Sequence, residues 1–447
     1  MRPDILLTNI SLPAPNNGDG EQPIIADYCI AVQGDTLQGI GPASEFKAVE
    51  AKTVINCHGQ LALPGLINGH CHAAMTLFRG LADDLSLTDW LHNHIFPAES
   101  HYVQPDMVYW CSKLAAAEMI LSGTTTVADG YFYEQQAAQA FADAGLRAIA
   151  AQGVIDFPAP GVPDPEKKIT HAAKFISQWK GHSLIQPAVF AHSPYTCSSE
   201  TLVAAKELSH SDNTLFFIHT AETEQEAEMI QSPQGNSPVR HLHALGLLDP
   251  ATVCIHGVWL DEQDMDILAE TGAAVVVCPQ SNLKLASGIA PLQELLARNI
   301  RVGIGTDGVA SNNRLDLIRE MDICAKIQKM QKREQFDPVA VPADKIVKMA
   351  TQEGAAVLGL EEKIGQLKVG KKADIMLLKL DTAHLQPFHG SDLPLYAAQG
   401  ADVQTVLING EIVMQDRKIL SFDLAETLEQ VRRLAEQVKE GRMKTAT

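Results

Sequence analysis

Short apolar runs recur along the middle of the chain, and segments with helical periodicity lie between them. Eight runs are strand-like: residues 61–67, 124–129, 148–152, 186–192, 215–219, 252–256, 273–278 and 302–307. Helical patterns include residues 107–122, 134–144, 199–209, 262–270 and 291–298. Apolar strands that alternate with helices are typical of a parallel sheet covered on both faces. Eight such units predict an α/β fold, a (β/α)8 or TIM barrel, over residues 61–365.

The two ends of the chain show short alternating runs and turn residues instead. Strand-like runs fall at residues 5–7, 28–32, 53–55, 373–378 and 406–413. The last of them contains Asn409-Gly410, which is a strong hairpin signal. We therefore expect residues 1–60 and 366–447 to form one small β-sandwich domain. Residues 424–439 have helical periodicity and charged faces, which predicts a surface helix without a catalytic role.

Several of the predicted strands end at residue types that commonly bind metals. His70 and His72 lie two positions apart, so on a strand both side chains project to the same side. His219, His256 and Asp307 each end another apolar run. A single His-x-His pair is often only a surface or core feature, but chemistry in such barrels collects at the carboxyl ends of the strands. The recurrence therefore favours one shared metal site.

His70, His72, His219 and Asp307 offer three neutral imidazoles and one carboxylate. This ligand set leaves a position of a divalent ion open to water, and the ion lowers the pKa of that water towards neutrality. Zn²⁺ suits the nitrogen and oxygen donors best, although Fe²⁺ or Mn²⁺ can also occupy such a site. We therefore predict a metal-dependent hydrolase with one divalent ion.

Composition and charge narrow the choice of partners. The 447 residues exceed one ordinary core, which fits a large barrel with a second domain. The net charge of -19, with no basic run, argues against nucleic acid or an anionic membrane as a partner. The chain has no long apolar segment, and its eight scattered cysteines are typical of reduced thiols. We expect a cytoplasmic protein with a small or neutral substrate.

Six segments of the chain carry a likeness to a known family. They are PGLINGHCH at 64–72, FPAE at 96–99, HSPY at 192–195, HTAE at 219–222, GTDGVASNN at 305–313 and GQLKVGKKAD at 365–374. On these segments the chain resembles the amidohydrolase superfamily, and most closely the 5-methylthioadenosine/S-adenosylhomocysteine deaminases. The resemblance implies hydrolytic deamination of an adenine nucleoside to its inosine analogue and ammonia, and a homo-oligomer.

Three polar residues are assigned to the chemical steps. Glu222 follows His219 by three residues, so it can take a proton from the water and pass it to a ring nitrogen. A carboxylate that merely favours a helix N-terminus is the alternative interpretation. Asp307 would orient the attacking oxygen and protonate the departing ammonia, and His256 would polarise the same oxygen. Ser311 and Asn312 are expected to steady Asp307.

The resemblance implies further residues that contact substrate. Glu99 would accept hydrogen bonds from the ribose hydroxyls, and Trp90 would form a wall against the base or the thioether. His192 would hydrogen-bond the purine, the alternative being a structural histidine. Members of the superfamily with two metals commonly bridge them with a modified lysine after the fourth strand. Because this strand ends at His192, a mononuclear site is expected.

The loop after the third strand bears on the choice of substrate. Members that handle S-adenosylhomocysteine use arginine there for the amino-acid carboxylate, but residues 153–163 contain no cation, and Arg147 lies at the opposite end of the strand. We therefore expect 5′-methylthioadenosine to be preferred. Triazine chlorohydrolases and guanine or cytosine deaminases share this scaffold and stay as alternatives. A scaffold without activity would have lost ligands, whereas this ligand set is complete.

Overall fold

The computed structural model describes residues 2–13, 24–230, 237–331, 336–390 and 392–445. The strands before the barrel are β1 (Ile5–Pro13), β2 (Ile24–Gln33), β3 (Thr36–Pro42), β4 (Thr53–Asn56) and β5 (Gln60–Pro64). The barrel strands are β6 (Leu66–Cys71), β7 (Thr124–Tyr131), β8 (Arg147–Val154), β9 (Ile185–Ala191), β10 (Phe216–Thr220), β11 (Thr252–His256), β12 (Ala274–Val277) and β13 (Val302–Ile304). The last strands are β14 (Ile375–Lys379), β15 (Val403–Ile408), β16 (Glu411–Gln415) and β17 (Lys418–Ile419).

The helices connect and cover these strands. They are α1 (Leu87–Asp89), α2 (Phe96–Tyr102), α3 (Pro105–Leu121), α4 (Glu134–Ala144), α5 (Lys168–Trp179), α6 (Ser199–Asp212), α7 (Glu226–Met229), α8 (Pro238–Ala244), α9 (Glu262–Thr271), α10 (Pro279–Lys284), α11 (Leu292–Ala297), α12 (Leu317–Gln328), α13 (Ala343–Met349), α14 (Gln352–Val357), α15 (Leu393–Ala397) and α16 (Leu424–Thr445). In the described parts of the chain, no helix is long and apolar enough to cross a bilayer.

Strands β6 to β13 form one eight-stranded sheet in which spatial order follows chain order. All the pairings are parallel, and every residue of β7, β8, β10 and β11 is buried. Side chains from several barrel strands, among them Ile67, Ile149 and Phe217, share one cluster of buried residues. This arrangement confirms the predicted barrel with an additional sheet.

The segment at residues 61–67 differs from the single barrel strand that its apolar pattern predicts. Strand β5 pairs with β14 in the sheet of the chain flanks, and only β6 belongs to the barrel. Gly65 separates the two strands, where a Cβ would lie 2.1 Å from the hydroxyl of Thr125. The chain can change sheets here because glycine permits this close approach.

The end of the eighth barrel strand also differs from its predicted range of 302–307. The ladder stops at Ile304, and Asp307 lies three residues further on with a φ of +57°. The left-handed region is uncommon outside glycine, although aspartate tolerates it better than most residues. The carboxylate therefore projects from a sharp turn and not from a strand.

The first and last strands of the barrel meet at a seam formed by β6, β13 and the turn that follows β13. The Asn68 side chain accepts from the Thr306 N–H at 3.0 Å and donates to the Thr306 hydroxyl at 2.7 Å. The Asp307 N–H donates to the His70 carbonyl at 3.1 Å. A Cβ on Gly305 would lie 2.8 Å from the His70 nitrogen. The two segments that carry metal-ligand candidates are therefore held in direct contact.

Strands from both flanks of the chain form a nine-stranded sheet in which β5 lies between β14 and β1. Arg147, at the start of β8, forms a buried ion pair with Asp374, with contacts of 2.9 and 3.0 Å. This pair joins the flanking sheet to the end of the barrel where the strands begin, as expected for Arg147. The predicted division assigns residues 1–60 and 366–447 to the flanking domain and residues 61–365 to the barrel. This division stays a prediction, and most of β5, which pairs within the flanking sheet, lies beyond residue 60.

We predict that Asn68→Ala destabilises the protein, because it leaves the buried Thr306 N–H without a partner. The expected loss is about 2 kcal/mol in the free energy of unfolding, measured by urea denaturation. The matched control is Gln139→Ala, which removes an exposed hydrogen bond to Asp143 within α4. Its effect should stay below about 0.5 kcal/mol. Equal effects of the two changes would contradict a structural role for the seam.

Candidate metal centre and substrate pocket

The donor atoms of the predicted metal ligands converge beyond the carboxyl ends of β6 and β10. Ligand atoms of His70, His72 and His219 all lie within 4.8 Å of one another. The Nε2 atoms of His70 and His219 are 3.3 Å apart. Oδ1 of Asp307 lies 3.3 Å from Nε2 of both His70 and His72. The structure thus brings together residues that are separated by more than 200 positions in the chain.

Neighbouring groups fix the orientation of these ligands. Nδ1 of His72 lies 2.6 Å from the Gly130 carbonyl, so it carries the proton and Nε2 keeps its lone pair. Oδ2 of Asp307 accepts hydrogen bonds of 2.7 Å from both Ser281 and Ser311. Its other oxygen remains directed at the imidazoles, which makes both side chains suitable metal ligands.

Burial keeps the imidazoles of His72 and His219 neutral. Burial, together with the neighbouring His70, lowers the pKa of His72 to about 4. Burial and four nearby histidines hold the pKa of His219 well below its usual range. Burial alone raises the pKa of Asp307, but the hydrogen bond with His70 and the proximity of His72 hold it well below its usual range. At neutral pH His72 and His219 are therefore neutral, and Asp307 is a carboxylate.

The donor set fits a divalent cation. The Nε2 atoms of His70 and His219, 3.3 Å apart, are close enough to bind one cation together. Three imidazole nitrogens and one carboxylate oxygen are typical ligands of a catalytic zinc site, and they also suit other transition metals.

His256 and Glu222 lie beside the cluster and face each other. Nε2 of His256 is 3.5 Å from Oε2 of Glu222. The Asn282 amide nitrogen lies 3.0 Å from Nδ1 of His256, so an amide that donates here leaves the proton of His256 on Nε2. Burial lowers the pKa of His256 to about 3. Burial, and after it the nearby Asp307, raises the pKa of Glu222 well above its usual range. A neutral imidazole that can donate from Nε2 thus adjoins a carboxyl group whose pKa is raised.

A recess opens from these groups and encloses about 720 Å³, including its open mouth. Its walls include candidate metal ligands, Glu222 and His256. They also include a set of apolar side chains: Met75, Leu87, Leu91, Ile95, Val154, Ile155 and Leu285. The predicted contact residues Trp90, Glu99 and His192 line the same recess. In the described chain, neither lysine nor arginine lines it. A concave, mostly apolar wall with a few polar groups is typical of a small-molecule site.

The segment between α1 and α2 covers one side of the recess. Trp90–Ile95 forms a π-helix, whose wider turn precedes Pro97 at the start of α2. A proline inside an α-helix would clash with the carbonyl four residues earlier, and the wider turn relieves this conflict. Trp90 is buried in this turn, and its indole N–H has no partner among the described residues.

Glu99 and His192 face the recess with defined partners. The Tyr131 hydroxyl donates to Glu99 at 2.6 Å. Burial raises the pKa of Glu99 to about 7, and the Tyr131 hydrogen bond partly offsets this effect. Nδ1 of His192 lies 3.0 Å from the Thr196 hydroxyl. Burial and the nearby His72 lower the pKa of His192 to about 3, so the imidazole is neutral.

The supporting groups match the sequence analysis only in part. Ser311 bonds Asp307 as expected, but Asn312 instead donates to the Thr306 carbonyl and to Glu320. Sequence reasoning did not identify Asn68, Ser281, Asn282, Tyr131 or Glu226. Among these residues, only Glu226 could have been suspected from the sequence, because it is an acidic residue four positions after Glu222. The others lie on segments that meet the site only in the folded chain.

A sequence profile of the amidohydrolase family matches residues 61–413, and the chain belongs to this family. Among curated relatives, its similarity lies with the 5-methylthioadenosine/S-adenosylhomocysteine deaminases. One from Syntrophobacter fumaroxidans is 43% identical over 98% of this chain and 99% of its own. A second, from Syntrophus aciditrophicus, is 43% identical over 93% and 94%, respectively.

A solved structure extends the similarity to the fold. The crystal structure of an adenosine deaminase from Xanthomonas campestris with bound zinc superposes with a TM-score of 0.92. The two sequences are 31% identical, and the match covers 98% of this chain and 99% of the other. The amidohydrolase family is metal-dependent, and the histidine cluster of this chain fits that property.

We predict that alanine at His70, His72, His219 or Asp307 lowers the bound metal well below one ion per chain, because each change removes a donor atom. Elemental analysis of the purified variants measures this content. His256→Ala is the matched control, since its protonated Nε2 cannot ligate, and it should keep the metal while losing activity. If His256→Ala lost metal as completely as His72→Ala, the assigned ligand set would be wrong.

Proposed function

We propose that the protein is a zinc-dependent hydrolytic deaminase of adenine nucleosides that prefers 5′-methylthioadenosine. This proposal rests on the position of Glu222 and His256, which lie beside the candidate metal ligands and line an apolar recess. The deaminase relatives and the structure of an adenosine deaminase support the same substrate class.

In the proposed reaction, water adds to the six-carbon of adenine, ammonia leaves, and the hypoxanthine product forms. A bound zinc ion supplies hydroxide at neutral pH by lowering the pKa of water. Glu222 takes the proton of the attacking water and delivers it to a ring nitrogen, which makes the carbon more electrophilic. Its raised pKa suits a group that holds the proton between these two steps.

His256 and Asp307 complete the proposed proton transfers. The Nε2 proton of His256 donates to the oxygen that becomes negative as the ring is attacked, which stabilises the developing charge. Asp307 orients the attacking oxygen, accepts the remaining proton of that oxygen as the adduct breaks down, and passes it to the departing amino group, which leaves as ammonia. The hydrogen bonds from Ser281 and Ser311 keep its carboxylate in one orientation for both roles.

The remaining contacts are proposed for the two ends of the nucleoside. The neutral imidazole of His192 hydrogen-bonds the purine, and the Thr196 hydroxyl near its Nδ1 holds the ring in place. Glu99 accepts from the ribose hydroxyls as a carboxylate, supported by Tyr131. Trp90 covers the base or the thioether with an apolar face.

The apolar lining favours an uncharged group at the 5′ position of the ribose. The amino-acid part of S-adenosylhomocysteine carries a carboxylate, and burying it without a cation costs several kcal/mol. In the described residues no lysine or arginine faces the recess, and Arg147 is paired with Asp374. A methylthio group needs no such partner and packs against the apolar wall.

Two further properties are part of the proposal. All eight cysteines are free and buried, which suits a reducing cytoplasm. We also propose a homo-oligomer, as the resemblance to the family implies.

We predict that ammonia release is fastest with 5′-methylthioadenosine in a screen that also contains adenosine, S-adenosylhomocysteine, guanine, cytosine and a chlorotriazine. The specificity constant for S-adenosylhomocysteine should be at least about tenfold lower, because its carboxylate lacks a partner. Equal constants for the two nucleosides would contradict the preference. Turnover of only guanine, cytosine or the triazine would contradict the proposed function itself.

We predict that KM for 5′-methylthioadenosine rises as the pH falls below about 7, since protonated Glu99 loses its capacity as a double acceptor. Tyr131→Phe removes the hydrogen bond that lowers the pKa of Glu99, so the rise should begin at a higher pH. The control is Glu99→Gln, in which this step in the pH profile should disappear. A Tyr131→Phe profile identical to that of the wild type would contradict the role of Glu99.

A further inference from the structure

The turn after β10 carries Glu222 and has an unusual backbone. Ala221 has a φ of +55°, in the left-handed region that alanine rarely occupies. Such a conformation persists only where surrounding contacts stabilise it. The position of the Glu222 carboxyl group depends on this backbone, because Glu222 is the next residue.

The Glu226 side chain binds the amide groups of this turn. One of its oxygens accepts from the Ala221 N–H at 2.8 Å. The other accepts from the Glu222 N–H at 2.7 Å and from the Thr223 N–H at 3.3 Å. Glu226 is 2% exposed and is not among the residues that line the recess. Its carboxylate therefore holds the turn from behind, without contact with a bound nucleoside.

The opposite side of the same turn is bonded to the segment that follows His256. The Gly257 N–H donates to the Thr220 carbonyl at 3.1 Å. The N–H groups of Val258 and Trp259 both donate to the Ala221 carbonyl at 2.9 Å. Glu226 and the segment after His256 thus hold the turn between them.

From these contacts we infer that Glu226 is a positioning residue, which holds Glu222 beside His256, where its carboxyl group can take the proton of the attacking water and deliver it to the ring nitrogen. This inference rests on the proposed deaminase function, because it assigns Glu226 a role in the same reaction. Backbone N–H groups only donate hydrogen bonds, and a carboxylate only accepts them, so the Glu226 side chain matches the turn. A glutamine would instead direct an NH2 group at one of these N–H groups.

Glu226→Ala tests this role, because it removes all three hydrogen bonds to the turn. We expect kcat for 5′-methylthioadenosine to fall about 100-fold, the scale of a displacement of about 1 Å at a reacting group. KM should change less than about threefold, since no contact with substrate is lost. Glu226→Gln keeps one acceptor oxygen and should show an intermediate loss. The bound metal should stay near one ion per chain in both variants.

Asp316→Ala is the matched control for this loss of hydrogen bonds. Asp316 also accepts from three backbone N–H groups, those of Ile318, Arg319 and Gly400, but it does not line the recess. Its kcat should stay within about twofold of the wild type, although its melting temperature falls. A loss of kcat in Asp316→Ala equal to that in Glu226→Ala would overturn the inference.

A double-mutant cycle separates positioning from general stability. If Glu226 acts through Glu222, adding Glu226→Ala to Glu222→Gln should cause little further loss of kcat. Fully additive losses would overturn the inference.

Hydrogen exchange provides a readout that needs no substrate. The amides of residues 221–223 should exchange faster in Glu226→Ala than in the wild type, and unchanged exchange would overturn the inference. A wild type that deaminates no adenine nucleoside would instead contradict the proposed function, while the exchange result still tests whether Glu226 holds the turn.

Discussion

The close approach of β6 to the turn after β13 is the constraint on which the rest of the site depends. The barrel can bring the histidines of its first strand against Asp307 only if its last strand returns to the first. Asn68 bonds the N–H and the hydroxyl of Thr306, and the glycine at 305 leaves room for the backbone of His70. Because these contacts are buried, their geometry is rigid and independent of solvent. The candidate metal ligands therefore come from opposite ends of the barrel sequence and still lie close together in space.

The chemistry follows from the burial of many titratable groups in one small volume. Burial keeps His72 and His256 neutral, so the first offers a lone pair and the second a proton. The difference between them lies in the partner of Nδ1, a carbonyl for His72 and an amide nitrogen for His256. The same burial raises the pKa of Glu222 and of Glu99, although their partners differ. Burial in one low-dielectric site thus shifts the pKa of each of these four groups, and the partner of Nδ1 distinguishes the two histidines.

Selectivity is expected to come from the loops and not from the barrel itself. The π-helix at 90–95 and the start of α2 place Trp90 and Glu99 over the recess, far in sequence from the ligands at 219 and 307. These loops provide apolar walls and one carboxylate, and the cation of Arg147 lies at the opposite end of the barrel, paired with Asp374. Changes in these loops would alter which substituent a bound nucleoside can carry, without any change in the barrel or in the candidate metal ligands.

The sequence by itself determined the barrel, the flanking sheet and the identity of the metal-ligand candidates. Apolar runs with polar ends are local patterns, and the two-residue period of a strand is enough to pair His70 with His72. It did not separate β5 from β6, because both are apolar and only the close contact of Gly65 with Thr125 shows where the chain changes sheets. The tertiary structure decided most of the groups that hold the reacting residues in place. Ser281 and Asn282 reach Asp307 and His256 only in the folded chain, and such contacts leave no periodic signal in the sequence.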